Sequence, residues 1–281
     1  MIDLIVPFYN QGAKLRACLR ALDASISAGA RILLVDDASA PEEAAIARST
    51  AAAMRHPVEF IVHESNRGFR DSVMDGISAS TQDYVILVNS DTIVTPGFAD
   101  LLVEVLRRAP DVAAVAPVSN TNADLFQYRP GFPETSPDFA SLVKAVLAHA
   151  KSRRVEHAGK VTEAPYLTGM CLAFNRAAAE EVGWFGSDYV HGYFEDLDLC
   201  CRLRAAGRRL ALREDCFVYH AGHASYGSMD RAWLVPALMN NYRLFSARWE
   251  HLPEHESLLR LIRQAGQTEA ISTMIGEPAH V

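Results

Sequence analysis

Four polar clusters stand directly after short apolar runs, and each could do chemistry. Pro7-Phe8-Tyr9-Asn10 could present backbone groups to a base or ribose, or form a plain turn. In Asp36-Asp37-Ala38-Ser39 the adjacent carboxylates can accept hydrogen bonds from a ribose or a base N–H; alternatively Asp37 or Ser39 starts the turn into a helix. Asn89-Ser90-Asp91-Thr92 offers oxygen ligands to a hard divalent cation, one carboxylate being aided by an amide while diphosphate oxygens complete the shell. Its plainer reading is a turn capping the helix that begins near Pro96. Glu195-Asp196-Leu197-Asp198 places three acids in a first helical turn. They suit the helix dipole, or one of them acts as general base toward an acceptor hydroxyl. Asp198 and Arg202 are four apart and pair along the helix, which leaves Glu195 and Asp196 freer to face a site.

Further clusters are less specific. His220 follows the last predicted strand and is a candidate metal ligand as neutral imidazole. His223 competes for that role; His220 is preferred because it sits nearer the strand end. Gly169, within Thr168-Gly169-Met170-Cys171, permits close approach, of a ligand or of packed backbone. Trp184, Phe185, Tyr189, Tyr193 and Phe194 cluster near the acidic motif; one or two could form a platform for an acceptor sugar, the rest belonging to the core. Asn240 to Trp249 mixes aromatic and basic residues on a predicted helix. That suits a membrane surface, packing on the domain, or a dimer interface.

The elements that must position these residues alternate along the first half. Strands are predicted at residues 2–7, 31–35, 58–62, 84–88 and 112–117, with helices at 13–28, 41–54, 69–79 and 96–108. Such alternation argues for a parallel, doubly wound α/β sheet with helices on both faces. Ligands on such sheets sit outside the carboxyl ends of the strands, where the clusters fall. Residues 119–137 read as a long loop, 139–151 as a helix, 166–175 as a strand, 176–182 as a short helix and 195–206 as a helix stopped by Gly207. A last strand at 209–219, helices at 233–249 and 254–265, and a tail from 268 complete the prediction.

Bulk properties exclude several functions. The 281 residues suffice for one large α/β domain. A net charge of −7 disfavours nucleic acid as a partner, since no basic excess exists to neutralise a phosphate backbone. An anionic ligand would then need a metal ion or local cations. The five cysteines show no CxxC spacing, which argues against a zinc site or disulfide framework and for a reducing, cytoplasmic setting. The amino terminus lacks the features of a signal peptide, and no apolar run reaches the ~18 residues of a membrane span. Peripheral contact with the inner face of the membrane fits that expectation.

Order and spacing make these clusters more specific together than singly. IVPFYN at 5–10, LLVDDAS at 33–39, ESNRGFRDS at 64–72, LVNSD at 87–91, TGMCLAFNR at 168–176, FEDLDLCCRLRAAGRRL at 194–210 and YHAGHAS at 219–225 resemble, in order, the inverting glycosyltransferases of family 2, bacterial rhamnosyltransferase-like members above all. The resemblance implies a GT-A fold: a Rossmann-like, mostly parallel sheet with a helical carboxyl-terminal appendage. It also implies a nucleotide-binding half over 1–117, an acceptor and catalytic-base half over 118–228, and a helical extension and tail over 229–281. Pro7 and Tyr9 would line the nucleotide pocket, Asp37 would contact the base, and Asn66, Arg67 and Gly68 would pack beside the nucleotide. Asn89-Ser90-Asp91 stands where the family carries its DxD motif, so Asp91, with His220, would hold Mg2+ or Mn2+. Asp196 matches the catalytic base, with Glu195 beside it, and Thr168, Gly169 and Met170 would lie beneath the acceptor. Asn89 in place of the first acid leaves Asp91 carrying more of the metal. Arg70, Asp71 and Asp75 also depart from the family pattern.

The implied reaction moves a sugar, rhamnose or another hexose, from a UDP- or dTDP-sugar to a glycan, lipid-linked or protein acceptor in surface polysaccharide, glycolipid or glycoprotein synthesis. Two other classes compete. A nucleotidyltransferase would carry an early Gly-rich basic loop, which VPFYNQG lacks. A non-catalytic sugar-binding protein would not be expected to retain Asp37, Asp91, Asp196 and His220 together.

Overall fold

The computed structural model describes residues 2–133, 136–190, 192–222, 231–253, 255–256 and 258–259. The predicted helix at 254–265, the tail from 268 and the alternative ligand His223 therefore lie, wholly or largely, outside the described residues.

The first half follows the predicted alternation: β1 (Ile2–Phe8), α1 (Gly12–Ser25), β2 (Ala30–Asp36), α2 (Pro41–Ala52), β3 (Val58–Val62), α3 (Phe69–Ala79) and β4 (Tyr84–Val88). Next come β5 (Thr92–Ile93), α4 (Phe98–Arg108), β6 (Val112–Val118), a 3-10 segment (Asn122–Gln127), α5 (Phe139–Glu156) and β7 (Val161–Glu163). The chain continues through β8 (Cys171–Asn175), α6 (Arg176–Glu181), α7 (Glu195–Ala205), β9 (Arg209–Phe217), β10 (Tyr219–His220) and α8 (Arg231–Trp249).

Eight strands form the main sheet in the order β3-β2-β1-β4-β8-β6-β9-β7, and β10 with β5 forms a separate two-stranded ladder. The central strands are continuous apolar runs because both faces are covered. Ile5, Leu33, Val35, Val85 and Leu87 face a layer that includes Val73 and Ile77 of α3, Leu197 of α7 and Phe245 of α8. Leu4, Val6, Ile32, Leu34, Ile86 and Val88 face Leu15 and Leu19 of α1 and Phe98 and Leu102 of α4. Gly76 lets α3 lie close on β1, since a Cβ there would collide with Ile5 Cγ2. Gly207, at φ 77°, ends α7 as expected, with Arg208 N–H donating to Leu203 O at 3.0 Å.

The sheet is mostly parallel, as the resemblance implies, with β8 antiparallel to β4 and β6 and β7 antiparallel to β9. Three expectations are corrected. The predicted strand at 166–175 begins only at Cys171; the preceding residues form the loop that carries Gly169. The predicted loop at 119–137 contains the 3-10 segment, closed by bonds from Ser119 N to Gln127 O (2.8 Å) and Arg129 N to Ser119 O (2.9 Å). The predicted last strand divides, and Tyr219–His220 leaves the main sheet to pair antiparallel with Thr92–Ile93.

The candidate active site

The clusters after β1, β2 and β4 lie at the carboxyl edge of the sheet. Beside β1, Pro7 is buried opposite Val35, and Tyr9 is half-buried. Asn10 ties this turn to the next: its N–H donates to Ser39 Oγ (2.8 Å), and its Oδ1 accepts from Ala40 N (2.9 Å).

Asp37 is buried, and its carboxylate organises the neighbouring loop. Oδ1 accepts from Arg67 N (2.7 Å) and Oδ2 from Gly68 N (2.8 Å), while His63 Nδ1 lies 2.7 Å from Oδ1. Asn66 Nδ2 reaches the Asp37 carbonyl at 3.4 Å. Gly68 has φ 85°, a conformation that favours glycine. Asp75, a departure from the family pattern, holds His63 Nε2 (3.0 Å) and Arg67 Nη1 (2.5 Å). The sequence therefore brings Asp37, Asn66, Arg67 and Gly68 together, with His63 and Asp75 as partners that spacing alone did not reveal.

After β4 the chain turns tightly. Thr92 N and Oγ1 both donate to Asn89 O, at 3.3 and 2.9 Å. Ser90 and Asp91 are each 9% exposed. The β5·β10 ladder sets His220 opposite Thr92 and brings His220 Nε2 within 3.3 Å of Asp91 Oδ1. Ala221 N also donates to Asp91 O at 3.1 Å. Burial alone would raise the Asp91 carboxyl, but His220 and the nearby Lys14 ammonium hold it below its usual range. Burial would depress His220, yet Asp124 and Asp91 together push it up to about 10.

These groups fit a divalent cation. Two adjacent ligands on one ion, at ~2.1 Å each, stand roughly 3 Å apart, close to the Asp91–His220 separation. Asn89 Oδ1, in the same turn as Asp91, is buried without a hydrogen-bond partner. Among the described residues no group of three His, Cys, Asp or Glu forms a complete metal cage. Diphosphate oxygens would have to complete the shell.

The acidic helix enters through backbone contacts. Asn89 N donates to Met170 O (2.9 Å), and Gly169 N donates to Asp196 Oδ2 (2.8 Å). The Asp91 turn, the loop at 168–170 and Asp196 thus adjoin one another. Leu197 N donates to Asp196 Oδ1 at 2.8 Å. Burial raises the Asp196 carboxyl against these two backbone donors, and the charge of Asp124 adds to the rise. Glu195 is 3% exposed with Oε2 unpartnered. Burial, reinforced by Asp196, raises it well above the ordinary range. Of the two acids expected to face the site, Asp196 is half-exposed and Glu195 is buried. Tyr193 stands nearby, pushed up to about 12 by burial and by Glu195.

Two acceptor expectations fail on geometry. Met170 is 2% exposed and its side chain packs in the core; only its carbonyl reaches the Asp91 turn. Trp184 packs edge-on against Phe174 at 5.5 Å, beneath the Arg176 guanidinium. Arg176 in turn bonds Gln82 O and Ser80 Oγ at the amino end of β4, opposite Asn89. Thr168 is half-buried, its N–H and hydroxyl both donating to Gln127 Oε1 at 2.6 and 2.9 Å.

Sequence reasoning missed Asp124, Gln127, Lys14 and Asn241. Asp124 bonds His220 Nδ1 at 2.9 Å from within the predicted loop. Asn241 is fully buried on α8; its Nδ2 donates to the carbonyls of Val190, Gly192 and Tyr193, and its Oδ1 accepts from Val190 N. Trp249 Nε1 and Arg248 Nη1 donate to Asp198 Oδ1, and Arg202 Nε to Oδ2 at 2.7 Å, the expected helical pair. These contacts favour the domain-packed reading of this helix. No helix among the described residues is long and apolar enough to cross a membrane.

Comparison with known proteins bears on the family and the fold. The chain is 27% identical over 222 residues to a pre-mycofactocin glycosyltransferase of Mycobacterium tuberculosis, covering 78% of this chain and 42% of the relative. It is 33% identical over 125 residues to an N-acetylglucosaminyltransferase of Neorhizobium galegae, covering 44% of this chain and 29% of the relative. The chain thus spans less than half the length of these curated relatives. The fold matches the mannosyltransferase PcManGT of Pyrobaculum calidifontis in complex with GDP-Man and Mn2+, at TM-score 0.61, 18% identity and coverage of 99% of this chain and 76% of that one. It also matches GalNAc-T7 with UDP, GalNAc and Mn2+, at TM-score 0.60, 14% identity and coverage of 78% and 43%. The profile of glycosyl transferase family 2 matches residues 3–183, more than half the chain, and with a GT-A architecture around it this protein belongs to that family.

Proposed function

We propose that this chain transfers a sugar from a nucleoside-diphosphate sugar to an acceptor hydroxyl, with inversion. The observation that supports it most is the adjacency of Asp91 and Asp196 through Met170 and Gly169. In this reading Pro7, Tyr9 and the segment at 66–68 flank the nucleotide, and Asp37 holds that segment in place. Asp91 and His220 hold Mg2+ or Mn2+, with Asn89 and Ser90 in the same turn. When bound, the cation neutralises the charge that builds on the departing diphosphate.

Asp196 takes the proton of the acceptor hydroxyl. The freed oxygen bonds to the anomeric carbon as the bond from that carbon to the diphosphate breaks. The nucleoside diphosphate leaves on the opposite face, so configuration inverts. Thr168 and Gly169 shape the floor beside Asp196, with Tyr193 as the remaining aromatic candidate. The proposal divides the chain into a nucleotide half over 1–117, an acceptor half over 118–228 and an extension over 229–281, of which α8 packs on the second through Asn241, Arg248 and Trp249. A UDP- or dTDP-sugar as donor, and a glycan, lipid-linked or protein acceptor, remain within this proposal.

The test is a thermal-shift screen of nucleotide-sugars with Mn2+. A ligand at 100 times its Kd stabilises the native state by about 2.7 kcal/mol. One donor should raise Tm only when Mn2+ is present. No shift with any donor would refute the reading.

A further inference from the structure

We propose that Asp124 is the positioning residue of the cation site: it accepts a hydrogen bond from His220 Nδ1–H and thereby turns Nε2 toward the ion beside Asp91. The inference deepens the proposed function and rests on its metal assignment.

The geometry is specific. His220 Nδ1 lies 2.9 Å from Asp124 Oδ1 and 3.2 Å from Oδ2, while Nε2 lies 3.3 Å from Asp91. An ionised carboxylate only accepts, so the nitrogen facing Asp124 must carry the hydrogen. The other nitrogen, facing Asp91, is then the one that ligates a metal once the ion displaces its proton. The two ring nitrogens point to divergent sides, so Asp124 cannot share an ion bound at Nε2.

Asp124 is itself held firmly. It is 2% exposed, and its N–H donates to Thr121 O at 3.1 Å. Leu125, next in the chain, adopts φ 47° and ψ −112°, a sparsely populated conformation for a branched residue. Such a conformation persists only where surrounding contacts over-determine it, and it clusters at functional sites. Two of those contacts flank the segment. Asn120 clasps the His220 backbone through its Oδ1 (2.7 Å) and Nδ2 (3.1 Å), and Gln127 grips Thr168. One short segment therefore orients the metal imidazole and braces the loop beneath Asp196.

The test is Mn2+ binding to the full chain, followed by EPR without any donor. Asp124→Ala should raise the Mn2+ Kd by about 10–100-fold, the usual effect of removing the partner of a ligating histidine. It should also abolish the histidine-nitrogen modulation of the pulsed spectrum. Asp124→Asn keeps an accepting oxygen and should recover part of the affinity and the modulation. In a His220→Ala background, Asp124→Ala should change the Kd little, because its effect passes through the imidazole. Equal losses in both backgrounds would overturn the inference, as would an unchanged Kd in Asp124→Ala. If the Ala variant fails to fold, the Asn variant and its His220→Ala double decide the matter by the same comparison. A wild-type protein with no Mn2+ site would instead overturn the metal reading itself, and the inference with it.

Discussion

Asn241 Nδ2 donates to the Gly192 carbonyl at 2.9 Å, so a buried amide on α8 fixes the backbone three residues ahead of Glu195. The same side chain also bonds Val190 and Tyr193, where Tyr193 and Phe194 both have positive φ. Left-handed backbone at non-glycine residues is costly, and Asn241 together with Phe245, packed on Phe194 at 5.4 Å, offsets it. Asn241→Ala should lower stability by about 1–3 kcal/mol, the penalty of stranding a buried polar group. It should also reduce kcat, because Asp196 follows directly. Urea unfolding and steady-state kinetics check both; unchanged values would show that α8 does not brace the site.

Asp196→Asn should reduce kcat by about 10²–10⁴-fold while leaving donor affinity intact. Asn keeps an acceptor for Gly169 N–H but cannot take a proton. Because burial raises the Asp196 carboxyl, the acid limb of the wild-type rate profile should lie above the ~3.9 of an ordinary aspartate. Activity falls as pH drops through that value, since the protonated acid cannot act as base. A pH-rate profile and isothermal titration of donor provide the measurements.

Chelation by EDTA should abolish transfer, and Mg2+ or Mn2+ should restore it. Asn89→Asp should tighten Mn2+ binding, since Asn89 Oδ1 is unpartnered in the same turn as Asp91 and a carboxylate would add charge there. Full activity in chelator would remove the metal from the reaction.

Asp198→Ala should destabilise the fold by about 3 kcal/mol, because it leaves Arg202 and Arg248 without their buried partner. Burial opposes ionisation of Asp198, but Trp249, Arg202 and Arg248 hold its pKa below the usual value. A depressed folded-state pKa contributes stability above the unfolded carboxyl value of ~3.9, and that stability is lost as pH falls through the folded value. The gap between wild type and variant should therefore be full at pH 7 and shrink in acid, as measured by denaturant unfolding at several pH values.

Much of this arrangement was legible in the sequence because strand-end polar clusters have one place to go in an α/β sheet. Asp37 and Asp91 were found that way, Asp196 from an acidic first helical turn, and Asp198–Arg202 by helical spacing. Asp124 was not, since residues 119–137 have no hydrophobic period and a short 3-10 segment leaves none. Asn241 was hidden for a different reason: a buried amide that serves distant carbonyls looks the same in sequence as one on a surface. Trp184 was misplaced because nearness in sequence to Glu195 says nothing about which end of β4 it packs against. The antiparallel entry of β8 escaped notice because an apolar run does not disclose its direction.

His220 arrives on a ladder of only two residue pairs, Tyr219 with Ile93 and His220 with Thr92, outside the main sheet. So small a zipper can open while the eight-stranded sheet remains shut. The corner proposed to hold the ion should therefore open as its own cooperative unit. Cation and donor would then act as the clasp, slowing amide exchange at Tyr219 and His220 while the exchange of β1 and β4 stays unchanged.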